Sequence, residues 1–241
     1  MHDDVAKLGS VMGIWAHPDD ETFMVGGLLS IAAANGQPVF CVTATKGEAG
    51  VQNDSRWPAA SLGETREKEL AAALKELGVG QHHWLGYGDG ECSKVSDNEA
   101  ISTLIDLIDK HKPDTIITFA PDGLTGHDDH VAVARWANLA ADQSMTKPVV
   151  WCAVHTQELY DSTFSSIHDK FNVYFNIDIP KFVPEKDCDL LLELPEEALQ
   201  KKLAALKAMP SQYEAFFAGI SPGEAELAFE VEGLVLASKI Q

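Results

Sequence analysis

Two short clusters carry most of the chemistry that this chain could perform. Ala16-His17-Pro18-Asp19-Asp20-Glu21 and Gly126-His127-Asp128-Asp129-His130 each follow an apolar run. His17 and Asp20 are three residues apart, and so are His127 and His130, so each pair can project from one helical turn toward one point. Neutral imidazole with carboxylate is a ligand set that suits Zn²⁺, and catalytic zinc commonly takes three protein ligands and keeps one position open. His17, Asp20, His127 and His130 are all candidates, and spacing alone leaves open which one stays free. Asp19 lies between two of them, where it could serve as a base toward a metal-activated water. Each cluster also has a plainer reading, because Asp caps helices and favours their first turn. Two such clusters, each placed after a strand, weigh against coincidence.

The elements that must position these residues alternate. Val11–Trp15 reads as a strand and Glu21–Asn35 as a helix closed by Asn35-Gly36. Pro38–Thr43 is a second strand, Glu64–Leu77 a helix stopped by Gly78, and His83–Leu85 a short strand before a Gly-rich loop. Asp97–Lys110 carries Ile101, Leu104, Ile105 and Ile108 on one stripe, and Thr115–Phe119 is a buried strand. His130–Ala141 is helical, and Val149–Val154 and Asn172–Ile179 are further strands. Beyond Pro180 the character changes: Pro195–Tyr213 reads as one Glu/Ala/Leu/Lys helix, and Phe229–Leu236 as a strand or a helix. Strands alternating with helices of this length predict an α/β, Rossmann-like three-layer fold with a mostly parallel sheet and an elaborated C-terminal region. In such sheets ligands bind beyond the carboxyl ends of the strands, where both clusters would fall. The loop Thr45–Leu62 belongs at that same edge. With no repeat, low-complexity tract or linker in view, residues 1–241 are read as a single domain.

Composition narrows the partners. Thirty-seven acidic residues against 18 basic ones give a net charge of −19, which repels polyanions and argues against nucleic acid. Cys41, Cys92, Cys152 and Cys188 are widely spaced with no CxxC pair, so reduced thiols are expected. The first residues lack the basic and apolar regions of a signal peptide, and no apolar run is long enough to span a membrane. The cytoplasm is the expected location. There is no nucleotide-binding GxGxxG between the first strand and helix, and no GxSxG nucleophile elbow.

The sequence resembles the PIG-L/LmbE family of zinc-dependent N-deacetylases acting on N-acetylglucosamine-type groups. The resemblance rests on AHPDDE after the first strand and on the run Phe119–His130 around GHDDH, with weaker matches at Thr45-Lys46-Gly47-Glu48 and Glu64-Thr65-Arg66-Glu67. It covers roughly residues 10–140. It implies His17, Asp20 and His130 as ligands of Zn²⁺, with Fe²⁺ sharing the same set. It implies Asp19 as the general base, returning its proton to the leaving amine, and His127 as the unligated imidazolium that stabilises the oxyanion. Asp129, beside His130, would orient an imidazole from behind. Arg66, opening a helix after the long loop, would bind a substrate hydroxyl or phosphate, though a surface salt bridge with Glu67 or Glu69 explains it equally. Asp89 resembles the carboxylate that holds sugar hydroxyls, though a turn role in Gly-Asp-Gly explains it equally. The chain departs from the family pattern at Met209, where many members place a His before the Ser-Gln pair, and at Leu124-Thr125, where some carry a Tyr. The expected activity is removal of an N-acetyl group from a small-molecule amino-sugar conjugate. The alternatives are hydrolysis of a non-sugar amide, or a non-catalytic metal-containing carbohydrate- or metabolite-binding protein. Self-association into a homo-oligomer stays open.

Overall fold

The computed structural model describes residues 2–50, 56–174, 176–177 and 181–240. Among them, seven strands form one sheet in the order β3-β2-β1-β4-β5-β7-β6. β1 (Val11–Trp15), β2 (Val39–Thr45) and β4 (Thr115–Phe119) are buried along their whole length. Their sequences, apolar apart from Thr43, Thr45, Thr115 and Thr118, fit central strands covered on both faces, the usual situation in a parallel sheet. β3 (Gln81–Tyr87), half exposed, forms one edge, and β5 (Val149–Val154) continues the parallel set on the other side. β7 (Val231–Leu236) then runs antiparallel to β5, and the edge strand β6 (Leu190–Glu193) antiparallel to β7.

Helices cover both faces. α1 (His2–Ala6) precedes β1, and α2 (Asp20–Ala34), α3 (Ala59–Leu77) and α8 (Glu196–Lys207) pack on one another in one layer. α4 (Asp97–His111) and α5 (Asp128–Gln143) pair in the other layer. The short α6 (Gln157–Leu159) runs through a wider turn, Tyr160–Phe164, into α7 (Ser165–Phe171). α9 (Pro210–Gly219) and α10 (Pro222–Phe229) complete the C-terminal part. The chain builds β1, β2 and β3 in one direction and then crosses to place β4 on the other side of β1. The carboxyl ends of β1 and β4 therefore form the point where strand order reverses, and a crevice opens there.

The α/β fold is the one expected from sequence, with three corrections. The helix expected over Pro195–Tyr213 is two helices, α8 and α9, broken before Pro210. Proline has no N–H and its ring clashes with the preceding turn, so Pro210 starts a helix rather than continuing one. The strand expected at Asn172–Ile179 is turn and coil in its described residues, and Phe175, Asp178 and Ile179 lie outside them. Helix α3 begins at Ala59, inside the expected loop, so Arg66 sits two turns in rather than at the opening.

Helix α2 is buried over most of its length and breaks at Val25, whose φ of −139° and ψ of 23° are not helical. The break leaves amides without helical acceptors. The Glu232 carboxylate of β7 accepts from Gly27 N and Leu28 N, both at 2.8 Å. Lys202 of α8 closes the pair at 2.7 Å from Glu232, and both side chains are buried. Burial lowers the Lys202 pKa, an effect that Glu232 opposes. Gly27 has no room for a side chain, since a Cβ would lie 2.3 Å from Leu194 Cδ1. Through these contacts the C-terminal elements hold the helix that starts at the first motif.

Candidate metal centre

The loop after β1 carries His17, Asp19 and Asp20 to the crevice, and the loop after β4 carries His127, Asp129 and His130 to the same place. His17 Nδ1 and His130 Nε2 face one another at 3.1 Å. Asp20 Oδ1 lies 3.4 Å from His130 Nε2, and Asp20 Oδ2 lies 3.7 Å from His17 Nδ1. Tetrahedral ligands about 2.0–2.1 Å from one ion sit roughly 3.3 Å apart. Each ring nitrogen thus has an Asp20 oxygen beside it, a different one in each case, at separations close to those between ligands of one ion. Two ring nitrogens this close also need a proton or a cation between their lone pairs. His17, His127 and His130 form a second group, with one ligand atom each within 4.8 Å of one another.

The outer nitrogens of both central histidines are held. His130 stacks on Phe119 at 4.1 Å, and its Nδ1 bonds Gly123 O at 2.9 Å, which aims Nε2 inward. His17 Nε2 lies between Asp89 Oδ1 at 3.1 Å and Asp129 Oδ2 at 3.3 Å, which aims Nδ1 inward. Outer carboxylates that fix a ligating imidazole in this way raise its basicity. Burial disfavours charge on His17, but its bonds to Asp129 and Asp89 and the nearby Asp20 outweigh burial and push it up to about 10. Burial holds His130 well below its ordinary value, with the His17 charge acting in the same direction.

The first motif is strained where its chemistry lies. Asp19 has a φ of 139°, a region that L-residues rarely adopt. Its carboxylate lies 3.3 Å from Arg66 Nη2. Burial raises the Asp19 pKa, and Arg66 opposes the rise. Arg66 is buried and also donates to Gly47 O at 2.9 Å and Pro18 O at 2.8 Å. One guanidinium thus ties the loop after β1 to the loop after β2.

His127 caps α5, with its Nδ1 accepting from Asp129 N at 3.1 Å. That bond leaves Nε2 as the nitrogen able to donate. Burial, followed by the His17 charge, lowers the His127 pKa.

A cavity of about 430 Å³ contains every sequence-predicted site residue except Asp129, and adds Gln212 and Thr125 to its lining. The structure shows which groups hold three of these residues. Asp129, expected behind an imidazole, lies against that of His17 and also accepts from Gly90 N at 2.8 Å and Cys92 N at 3.0 Å. Asp89, expected at sugar hydroxyls, is engaged by His17 and by Ala49 N at 2.9 Å. Arg66, expected at the substrate, is committed to protein acceptors. Sequence reasoning passed over Glu21, which is fully buried, accepts from the Thr22 hydroxyl at 2.6 Å and is pushed up to about 8 by burial. Its place in the acidic motif was the available signal. Gln212, which donates to Gly50 O at 3.2 Å, had only the Ser-Gln pair to mark it.

With the site described, likeness to known proteins becomes informative. The PIG-L family, GlcNAc-PI de-N-acetylase, matches residues 12–141, which hold both motifs, β2, β4 and all of β1 but Val11. The chain belongs to this family. It is 32% identical over 172 residues to a 1D-myo-inositol 2-acetamido-2-deoxy-alpha-D-glucopyranoside deacetylase from Mycobacteroides abscessus, a match spanning 62% of each chain. A deacetylase of the same name from Saccharomonospora viridis is 28% identical over 223 residues, 83% of each chain. The fold resembles N,N'-diacetylchitobiose deacetylase from Pyrococcus horikoshii, with a TM-score of 0.63, 21% identity, and 94% of this chain and 83% of that one covered. Among the described residues no helix is long and apolar enough to cross a membrane.

Proposed function

We propose that this PIG-L family protein is a metal-dependent N-deacetylase acting on an N-acetylglucosamine-type conjugate, with residues 1–241 working as one domain. The observation that carries this reading is the convergence of His17 Nδ1, Asp20 and His130 Nε2 beside the strained Asp19 at the strand-order switch. One core cluster extends from Val5 to Leu234, which supports the single-domain part.

A divalent ion, Zn²⁺ by donor set with Fe²⁺ as the alternative, would supply Lewis acidity at the amide carbonyl and ease the ionisation of water. His17, Asp20 and His130 would hold it. Asp19 takes the proton of the attacking water and delivers it to the departing amine nitrogen. Its resting carboxylate is held by Arg66, so the accepting oxygen keeps one direction. His127 donates from Nε2 to the oxygen on which charge develops. Asp89 and Asp129 keep the proton of His17 on Nε2, which leaves Nδ1 free to ligate. Glu21 supports the Asp19 turn, and Gln212 closes the side of the cavity.

Acetate release from N-acetylglucosamine and its small glycosides tests the reading, with and without chelator and with Zn²⁺ or Fe²⁺ restored. Chelator-sensitive release is the expected result. One metal per chain with no acetate from any of these substrates would overturn it.

A further inference from the structure

The metal-side cavity does not end at Asp19. A second cavity, of about 600 Å³, meets it there and at Gln212, because both residues line both spaces. The second space adds Phe23, Phe171, Val173, Tyr213 and Phe216 to the shared Asp19 and Gln212, with Lys170 and Ala215 completing its lining. Phe171 and Phe216 stand 5.2 Å apart between ring centroids, and Tyr213 and Phe216 stand 6.1 Å apart, so the rings form a continuous wall. Phe23 begins that wall one helical turn from the proposed base, with its N–H bonded to Asp19 O at 2.8 Å. The other side rides on α9, whose start is pinned by Glu69, which accepts from both the N–H and the hydroxyl of Ser211. Lys170 at the outer rim already has a carboxylate, Glu224, at 3.7 Å.

We infer that this cavity is a substrate subsite and that it takes an apolar arm carried by the amino sugar, an alkyl or aryl group. The inference rests on the deacetylase reading for the part of the substrate that lies beside Asp19. A second sugar or a cyclitol would find hydrogen bonds at Asp19, Gln212, Lys170 and the Tyr213 hydroxyl, but its remaining hydroxyls would lie against Phe23, Phe171, Val173 and Phe216, where the lost hydration is not replaced. An alkyl or aryl arm leaves water at no such cost and gains from a wall that is already formed. Such an arm can be the aglycone or a longer N-acyl chain; both carry the same chemistry past Asp19.

Calorimetry on the full chain, with methyl and hexyl β-glucosaminides as probes, tests the subsite without calling on turnover. The hexyl compound is expected to bind roughly tenfold or more tightly. Ala215→Trp, which fills the cavity from an exposed position of α9, is expected to bring the hexyl-to-methyl ratio near one. Equal binding of the two probes by the wild type, or an unchanged ratio in the variant, overturns the inference. Acetate release from methyl and hexyl N-acetylglucosaminides, beside fatty-acid release from N-hexanoylglucosamine, then separates the aglycone from the acyl source. Tight hexyl binding without hydrolysis of any of these amides leaves the subsite standing and removes the deacetylase reading. Turnover with no hexyl preference does the reverse.

Discussion

Asp129→Asn is the substitution whose consequences the geometry fixes best. The wild-type carboxylate is fully buried and accepts three bonds: Cys92 N at Oδ1, and Gly90 N and His17 Nε2 at Oδ2. An asparagine has one oxygen for these three donors. Its best orientation keeps the oxygen toward Gly90 and His17 and turns the amide against the N–H of Cys92. One buried donor is then unpaired, a loss of about 1–3 kcal/mol of stability. The charge behind His17 also falls, since Asp89 at 3.1 Å is the one carboxylate left there. Losing an outer partner of a metal-binding histidine typically costs 10–100-fold in affinity. With Asp89 still in place, the lower end, about tenfold, is expected. The double variant Asp89→Asn/Asp129→Asn should fall by more than the product of the two single effects, because each carboxylate backs up the other. Competitive titration of Zn²⁺ against a chromophoric chelator measures the affinity, and melting of chelator-treated protein measures the stability. Asp128→Asn, at the exposed neighbour, is the control. Asp129→Asn binding Zn²⁺ within a factor of two of wild type, with an unchanged melt, would refute the assignment of Asp129 to His17.

Three further outcomes are expected. Asp19→Ala should retain metal while losing roughly two or more orders of magnitude in turnover, whereas His130→Ala should lose both; full metal content in His130→Ala would make His127 the ligand. Lys202→Met strands the buried Glu232 with only two backbone donors and should cost about 3 kcal/mol, roughly 6–12 °C in Tm by calorimetry; a shift of a degree or less would count against the pair. His155 is pushed down to about 3 by burial, helped by the Lys202 charge, so the folded state keeps it neutral while the unfolded chain protonates near 6.5. Its contribution is therefore present above pH 6.5 and is lost as pH falls toward 3. Between pH 6.5 and 5.5 the wild type should lose about 1 kcal/mol more than His155→Gln in urea unfolding; parallel losses would show that His155 is already charged in the fold.

What was legible in the sequence follows from range. β1 and β4 announce themselves because a strand covered on both faces is mostly apolar and β-branched, with Thr115 and Thr118 of β4 bonded to backbone carbonyls, and the site residues lie beyond those runs. The helix break before Pro210 was also written plainly, but the Ala/Leu/Lys pattern on its N-terminal side runs straight over it. Asp89 reaches His17 from the loop beyond the edge strand, 72 positions away in the chain, and no local pattern encodes such a meeting. Arg66 read equally well as a substrate contact or a surface salt bridge, and nothing local marks Lys202 in its Glu/Ala/Leu/Lys helix. Their burial depends on acceptors, Pro18 O and Glu232, supplied by distant parts of the fold. Asp129 was read as a partner of an imidazole, and only the assembled crevice shows that the imidazole is His17.

The Glu232 clasp on the broken helix α2 bears on the order in which the protein can mature. Gly27 and its acceptor are 205 residues apart. At 5–20 residues per second, a ribosome takes about 10–40 s to supply that acceptor after Gly27 is made. During that interval the second half of α2 has two amides without their final partner. The parallel strands β1 to β5 can assemble meanwhile, but the helix that carries Asp20 into the crevice is locked only when β7 enters the sheet. The second half of the helix that follows the first motif is thus completed only after both motifs have been made.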